Sequence, residues 1–275
     1  MKFYKVMKYD YQQHIWKNKR FFIIPLLIFL YCMTIKANLF NIGSGETVTF
    51  GDYFFSCFLG CEPISATKET AIPIFWLAGI ILSLFLSNGF VQKDLKGFGL
   101  QIFIRTKNKS RWWFSKCVTC ALISIHYYAF MLLSIFFFCV INRVNCSIKL
   151  TEHIAEVLLS GEYFIKHQNL QFNTAQQLFA MYAMPLVVIV CLNFVQMTVS
   201  LFVKPIISFM LINVYVLIAV YISTPFSLAE YAMLGHSKMY MVNGLNIVIG
   251  FCAGMGIIIL MITIGKIFFK NKDIL

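Results

Sequence analysis

Few residues in the long apolar stretches of this chain are able to do chemistry. His126 is the one ionisable side chain well inside such a stretch, and Asn88, Asn193, Gln196 and Asn213 are polar within or near others. At membrane depth such groups either bond helices together or line a polar pathway. The neighbours Tyr127 and Tyr128 offer His126 hydrogen-bond partners, which favours a structural imidazole. The four amides read equally well as glue or as the wall of a translocation path. Glu152, His153, Glu156, Glu162 and His167 share a polar stretch, and His153 and Glu156 are one helical turn apart. That spacing suits a metal ion, although polar helices produce it often by chance. Cys117-x-x-Cys120 has the spacing of a redox pair, but it opens an apolar stretch and no second pair follows, which favours buried thiols. Cys57 and Cys61 leave a disulfide and two free thiols open.

No G-x-x-x-x-G-K-[ST], H-E-x-x-H or G-x-S-x-G occurs. The chain is therefore expected to be no enzyme and to hold no nucleotide, metal or cofactor of its own.

The elements that carry these residues follow from composition. The chain has 275 residues, 60% of them hydrophobic and only 12% charged, against roughly 25% charged in soluble domains. Its mean hydropathy is +0.77. A soluble fold of this length has too little interior to hide that apolar surface, whereas a bilayer does not need to hide it. An all-α polytopic membrane protein in one domain is expected. A span takes about 20 mostly apolar residues, and six stretches qualify, at about 21–40, 71–91, 117–141, 178–203, 206–225 and 244–269. No Asp or Glu falls inside them, which weighs against an ion-coupled carrier. Pro185 predicts a kink in the fourth stretch, and Gly250-x-x-x-Gly254 in the sixth permits close helix approach, within the chain or between copies.

The formal charge of +12 becomes a topology signal once it is mapped, and it calls for no nucleic acid. With the N-terminus inside, the outer side holds only Lys36, Lys68, Arg143, Lys149, Lys166 and Lys238 of the 23 Lys and Arg. Both termini are thus expected in the cytoplasm, with the protein in the cell membrane. Residues 1–20 place Phe3, Val6, Met7, Tyr11 and Ile15 on one helical face and most lysines elsewhere, the pattern of a helix lying in the inner interface. On the outer side, 41–70 reads as a loop. Residues 226–243 mix apolar and polar types and are expected to re-enter the bundle in part.

The stretch KDLKGFGLQIFIRTKNKSRWWFSK, residues 93–116, is the most specific. It reads as a short amphipathic helix, then a basic turn, then a Trp pair at the interface, with Lys116 at headgroup level. An orientation signal alone needs the charge but not the apolar face or the glycine bend. Asp94, Gly97, Leu100, Arg105, Ser110-Arg111 and Lys116 stand where the ABC-2 family of transporter permeases carries matching residues, and Met233-Leu234-Gly235-His236-Ser237 is similar to that family's outer re-entrant turn. The chain resembles a small member of that family. The resemblance implies an N-terminal interfacial helix and a cytoplasmic coupling helix that docks on a separate ATPase, with Asp94, Leu95, Gly97, Phe98, Leu100, Gln101, Arg105 and Arg111 as coupling residues. It further implies ATP and Mg on that partner subunit, a second permease half (a copy or a relative), contact with membrane lipid, and outward movement of an amphipathic cargo such as a peptide. The rival readings are a non-transporting membrane partner or sensor and a membrane-interface enzyme.

Overall fold

The computed structural model of the chain describes all residues except 1–2, 17, 42–47, 62–71, 97–108, 160–173, 222–223, 225–226, 242 and 272–275. Ten α-helices are named here in chain order. They are α1 Phe3–Tyr11, α2 Ile23–Asn41, α3 Phe50–Phe58, α4 Ile74–Ser87, α5 Phe90–Lys96, α6 Lys109–Ile141, α7 Glu152–Leu158, α8 Ala175–Val199, α9 Pro205–Tyr221 and α10 Ile247–Asn271. Among the described residues there is no strand, only isolated bridges between Thr49 and Asn145 and between Ser237 and Leu245.

Five helical stretches are long and apolar enough to cross a membrane: Lys19–Ala37, Ile74–Lys96, Lys109–Ile141, Ala175–Val199 and Ile247–Lys270. The expected span at 206–225 is the shorter apolar helix α9, which has 17 residues. At 1.5 Å per residue it reaches about 26 Å, the low end of what crosses a hydrocarbon core. Leu26 and Leu30 of α2, Met210 and Val214 of α9, and Ile259 and Ile267 of α10 all stand exposed. Lipid accepts such faces and water does not. The chain is therefore an all-helical membrane protein.

α6 is the hub. Its 33 residues pack on α1, α2, α8 and α10, and the α8–α10 pair is the other main seam. Gly250 and Gly254 of α10 serve contacts within the chain: Gly250 lies against the Tyr231 ring and Gly254 against Val187 of α8. Pro185 sits inside a continuous α8.

Three expectations change. Within 41–70, residues Phe50–Phe58 form a buried helix rather than a loop. Thr49 and Asp52 build a capping box at its start, where Thr49 N–H (2.8 Å) and Oγ1 (2.9 Å) both donate to Asp52. Thr151 N–H and Oγ1 donate to the same carboxylate at 2.8 Å each, so one buried anion ties α3 to the start of α7. Burial pushes the Asp52 carboxyl up from its ordinary value, even though these four donors pull it down. Second, the helix that carries the 117–141 stretch starts at Lys109, and Trp112 and Trp113 on its first turns are buried against other helices. Trp113 Nε1 donates to the Ile262 carbonyl of α10 at 2.9 Å. Third, His126 bonds neither Tyr127 nor Tyr128. It meets Tyr11 Oη of α1 at 3.1 Å and the Leu122 carbonyl at 2.8 Å, while Tyr127 and Tyr128 donate to the Gly79 and Tyr182 carbonyls.

Candidate functional site: an ionic node where three helices meet

Lys116, read from the sequence as a headgroup marker, is 1% exposed. Its Nζ donates to Asp10 Oδ1 of α1 at 2.7 Å and to Asp94 Oδ2 of α5. Ser115 Oγ donates to the other Asp10 oxygen at 2.8 Å. His14 Nε2 lies 3.1 Å from each Asp94 oxygen. The Lys116 ammonium also lies over the Trp112 ring, 5.0 Å from its centroid, a cation–π contact. Each charge in this buried group therefore meets an opposite charge or an oriented dipole, the condition under which burial of ions is tolerated.

Local structure explains the convergence. α4 ends at Ser87, and Asn88-Gly89, with Gly89 at φ 71°, turn the chain into α5. Gly89 packs on Pro205, where a Cβ would lie 3.1 Å from the proline ring. Gln92 Nε2 then donates to the carbonyls of Ser200 and of Val203 (3.0 Å for the latter), fixing α5 on the α8–α9 turn. This orients Asp94 towards the first turns of α6. On the other side α1 continues through a π-helical turn, Gln12–Trp16, which brings Asp10 and His14 to the same point.

Asp10, His14 and Asp94 offer ligand atoms within 4.8 Å of one another, the kind of grouping that holds a cation. Here the Lys116 ammonium supplies that positive charge. The node is an electrostatic joint. It closes α5 onto α6, whose ends flank residues 97–108, and fastens both to α1.

Of the expected coupling residues, Asp94 is in the node and Leu95 is half-buried against the core, facing Ser200, Leu201 and Phe268. Arg111 is exposed on the first turn of α6. Gly97, Phe98, Leu100, Gln101 and Arg105 lie outside the described residues. Of the expected path residues, Asn193 and Gln196 come together between α4, α6 and α8. Asn193 Nδ2 donates to Ser83 Oγ (2.7 Å) and Ser124 Oγ (3.0 Å), Ser87 Oγ donates to Asn193 Oδ1, and Gln196 Nε2 donates to the Leu84 carbonyl at 3.1 Å. His126 faces α1, Asn213 bonds its own helix at the Phe209 carbonyl, and Asn88 stands at the α4–α5 break. The serines of this layer escaped the sequence reading, as did Asp10 and His14. Their four-residue spacing on a basic helix was the one available signal.

A second ionic contact lies in the 226–243 stretch, whose short 3-10 turns at Leu228–Ala232 and Leu234–His236 are buried. His236 Nδ1 meets Glu230 Oε1 at 2.8 Å, and its Nε2 meets the Cys61 carbonyl at 2.6 Å. Thr224 N–H donates to the other Glu230 oxygen at 3.1 Å. Burial pulls the imidazole down, but its bonds to Cys61 and Glu230 outweigh that and hold it up at about 9. A carbonyl can only accept, so Nε2 carries a proton, and the carboxylate favours a second proton on Nδ1. Cys57 and Cys61 are free thiols, as are the other seven cysteines. The His153 side chain, part of the expected outer metal group, lies outside the described residues.

The fold and these buried ionic contacts define a class, the polytopic α-helical membrane proteins whose helix ends are joined by desolvated charges. Within it, the chain belongs to the family described as "Protein of unknown function (DUF2705)", matched over residues 28–275. No curated protein matches it.

Proposed function

We propose that this chain is the membrane subunit of an ATP-driven exporter of the ABC-2 permease kind. In this reading α9 is a sixth span, both termini are cytoplasmic, and the protein sits in the cell membrane. ATP and Mg are bound by a separate ATPase subunit. A second permease half, a copy or a relative, completes the path, and an amphipathic cargo such as a peptide moves outward. The observation that carries the reading is the Asp94–Lys116 contact, braced by Asp10. Residues 97–108 span the gap between α5 and α6, and this contact closes the base of that gap. A loop that only sets orientation needs no such brace. A lever does, because force applied to 97–108 must reach the spans rather than dissipate in a hinge. Nucleotide-dependent closure of the partner would then shift the balance between inward- and outward-facing arrangements of the spans. Arg105, Lys107, Lys109 and Arg111 would meet acidic groups on the ATPase or lipid phosphates.

The test is co-purification. Leu100→Ala with Arg105→Ala should abolish recovery of an ATPase subunit with the chain in mild detergent and should stop export, while membrane insertion is unchanged. Undiminished recovery of the ATPase would show that the lever is misplaced. Recovery of no ATPase with the unaltered chain would favour a non-transporting membrane partner, which needs neither a motor nor a second half.

A further inference from the structure

Beside the node a polar cleft of about 490 Å³ opens between the π-helical turn and the α4–α5 break. Its wall carries Arg20, Lys93, His14, Asn88, Tyr9 and Gln13. The charge balance of this cleft is one-sided. Asp94, the only acidic residue among those described on the wall, already faces Lys116 and His14. Arg20 and Lys93 pair with no carboxylate among the described residues. The Asn88 side chain also lines the cleft; its Oδ1 is buried without a hydrogen-bond partner, and its Nδ2 is the group able to donate to an anion. Two cations and an amide donor around this cleft form a receptor for an anion with several oxygens.

The surroundings select its source. Arg20 lies over the Phe85 ring at 4.7 Å, so the cationic wall runs directly onto the apolar face of α4. Phe22, Leu26 and Leu27 of the neighbouring segment are exposed, and an apolar groove lined by Leu27, Tyr31, Phe75 and Leu82 lies between α2 and α4. A phosphate group seated in the cleft would thus have hydrocarbon-compatible surface immediately below it. A free inorganic anion uses the first feature and not the second.

We propose that this cleft binds the phosphate headgroup of an anionic membrane phospholipid, whose acyl chains lie along α2 and α4. The site rests on the chain being a membrane protein and is independent of the export reading. A headgroup there would cover the exposed flank of the node and hold Arg20 and Lys93 against the α4–α5 break.

The experiment uses the full chain purified in mild detergent and incubated with phosphatidylglycerol or with phosphatidylcholine, the retained lipid being counted by native mass spectrometry. The unaltered chain should keep about one phosphatidylglycerol tightly. Arg20→Gln with Lys93→Gln should weaken that retention by roughly tenfold or more, at about the strength expected for two interfacial cations. Lys93→Gln alone, at an exposed side chain, gives a smaller loss and serves if the double variant fails to fold. Inorganic phosphate in excess should not displace the lipid. Displacement by phosphate would assign the cleft to a soluble anion and overturn the lipid source. Equal retention of phosphatidylcholine, or retention unchanged in the folded variants, would overturn the site.

Discussion

Replacing Lys116 by methionine tests the node most directly, since it keeps the length of the side chain and removes its charge. The ammonium and the Asp10 carboxylate are each 1% exposed, and the Asp94 side chain is 7% exposed. In Lys116→Met, Asp94 retains His14, but Asp10 retains only the Ser115 hydroxyl at 2.8 Å. One buried anion is then left without a cation. Breaking a buried pair in this way costs about 3–5 kcal/mol. The Ser115 hydroxyl still bonds Asp10, so the lower end, about 3 kcal/mol, is expected. That is a large part of a typical domain stability of about 5–15 kcal/mol. The assay is unfolding against rising SDS fraction in mixed micelles, followed by circular dichroism, for the single variant and for Asp10→Asn with Lys116→Met. The double variant removes the orphaned charge and should be more stable than the sum of its parts by at least about 1 kcal/mol. If Lys116→Met unfolds within about 1 kcal/mol of the unaltered chain, the node is not a desolvated ion pair, and the brace argued for residues 97–108 falls with it.

Two further outcomes follow from the geometry. His236 is held at about 9, above the ordinary 6.5, so the folded chain binds the extra proton more tightly than the unfolded one; the stabilisation is complete below about 6.5 and is lost as pH rises through about 9. Melting temperature should fall across that window by an amount corresponding to about 3 kcal/mol, and a profile as steep in His236→Gln would refute the assignment. In α10, Gly265→Ala would place a Cβ 2.1 Å from the Trp113 ring, which is held by its bond to Ile262, whereas Gly256→Ala meets nothing within 4 Å. The first should cost about 1–3 kcal/mol and the second nothing in the same micelle titration; equal effects would show that α6 and α10 do not pack as described.

The helices that lipid selects were legible because length and apolarity are properties of a single segment. α2, α4, α8 and α10 fall within a few residues of the apolar runs that announce them. α3 was not legible for the complementary reason. FGDYFFSCF is too short for a span and contains a glycine and an acid, so it reads as a loop. What makes it a helix is a capping box at its start and Asp52 satisfied by Thr151, which is 99 positions away. Residues 226–243 were recognisable as re-entrant from their mixed composition, but the Glu230–His236–Cys61 contact within them again depends on a distant partner.

Charge was the subtler case. Counting lysines and arginines by loop treats each as a solvated point, and as an orientation argument it needs nothing more. The same count hid what Lys116 does. A lysine at the foot of an apolar run reads as a headgroup marker because a lone ammonium cannot enter the bundle. This one enters because two carboxylates meet it there, Asp10 from 106 positions before it and Asp94 from 22. The start of α6 moves with it: once Lys116 is satisfied indoors, the Trp pair before it is free to pack on α10, and the helix extends back to Lys109. No acid falls in the apolar runs read from the sequence, but Asp94 lies inside the membrane-length helix Ile74–Lys96, and Asp10, Asp52 and Glu230 lie in the segments between such helices, all buried. Each holds two elements together. The charged contacts join segments distant in sequence, while the amide and serine bonds of Asn193 and Gln196 join α4, α6 and α8 inside the bundle.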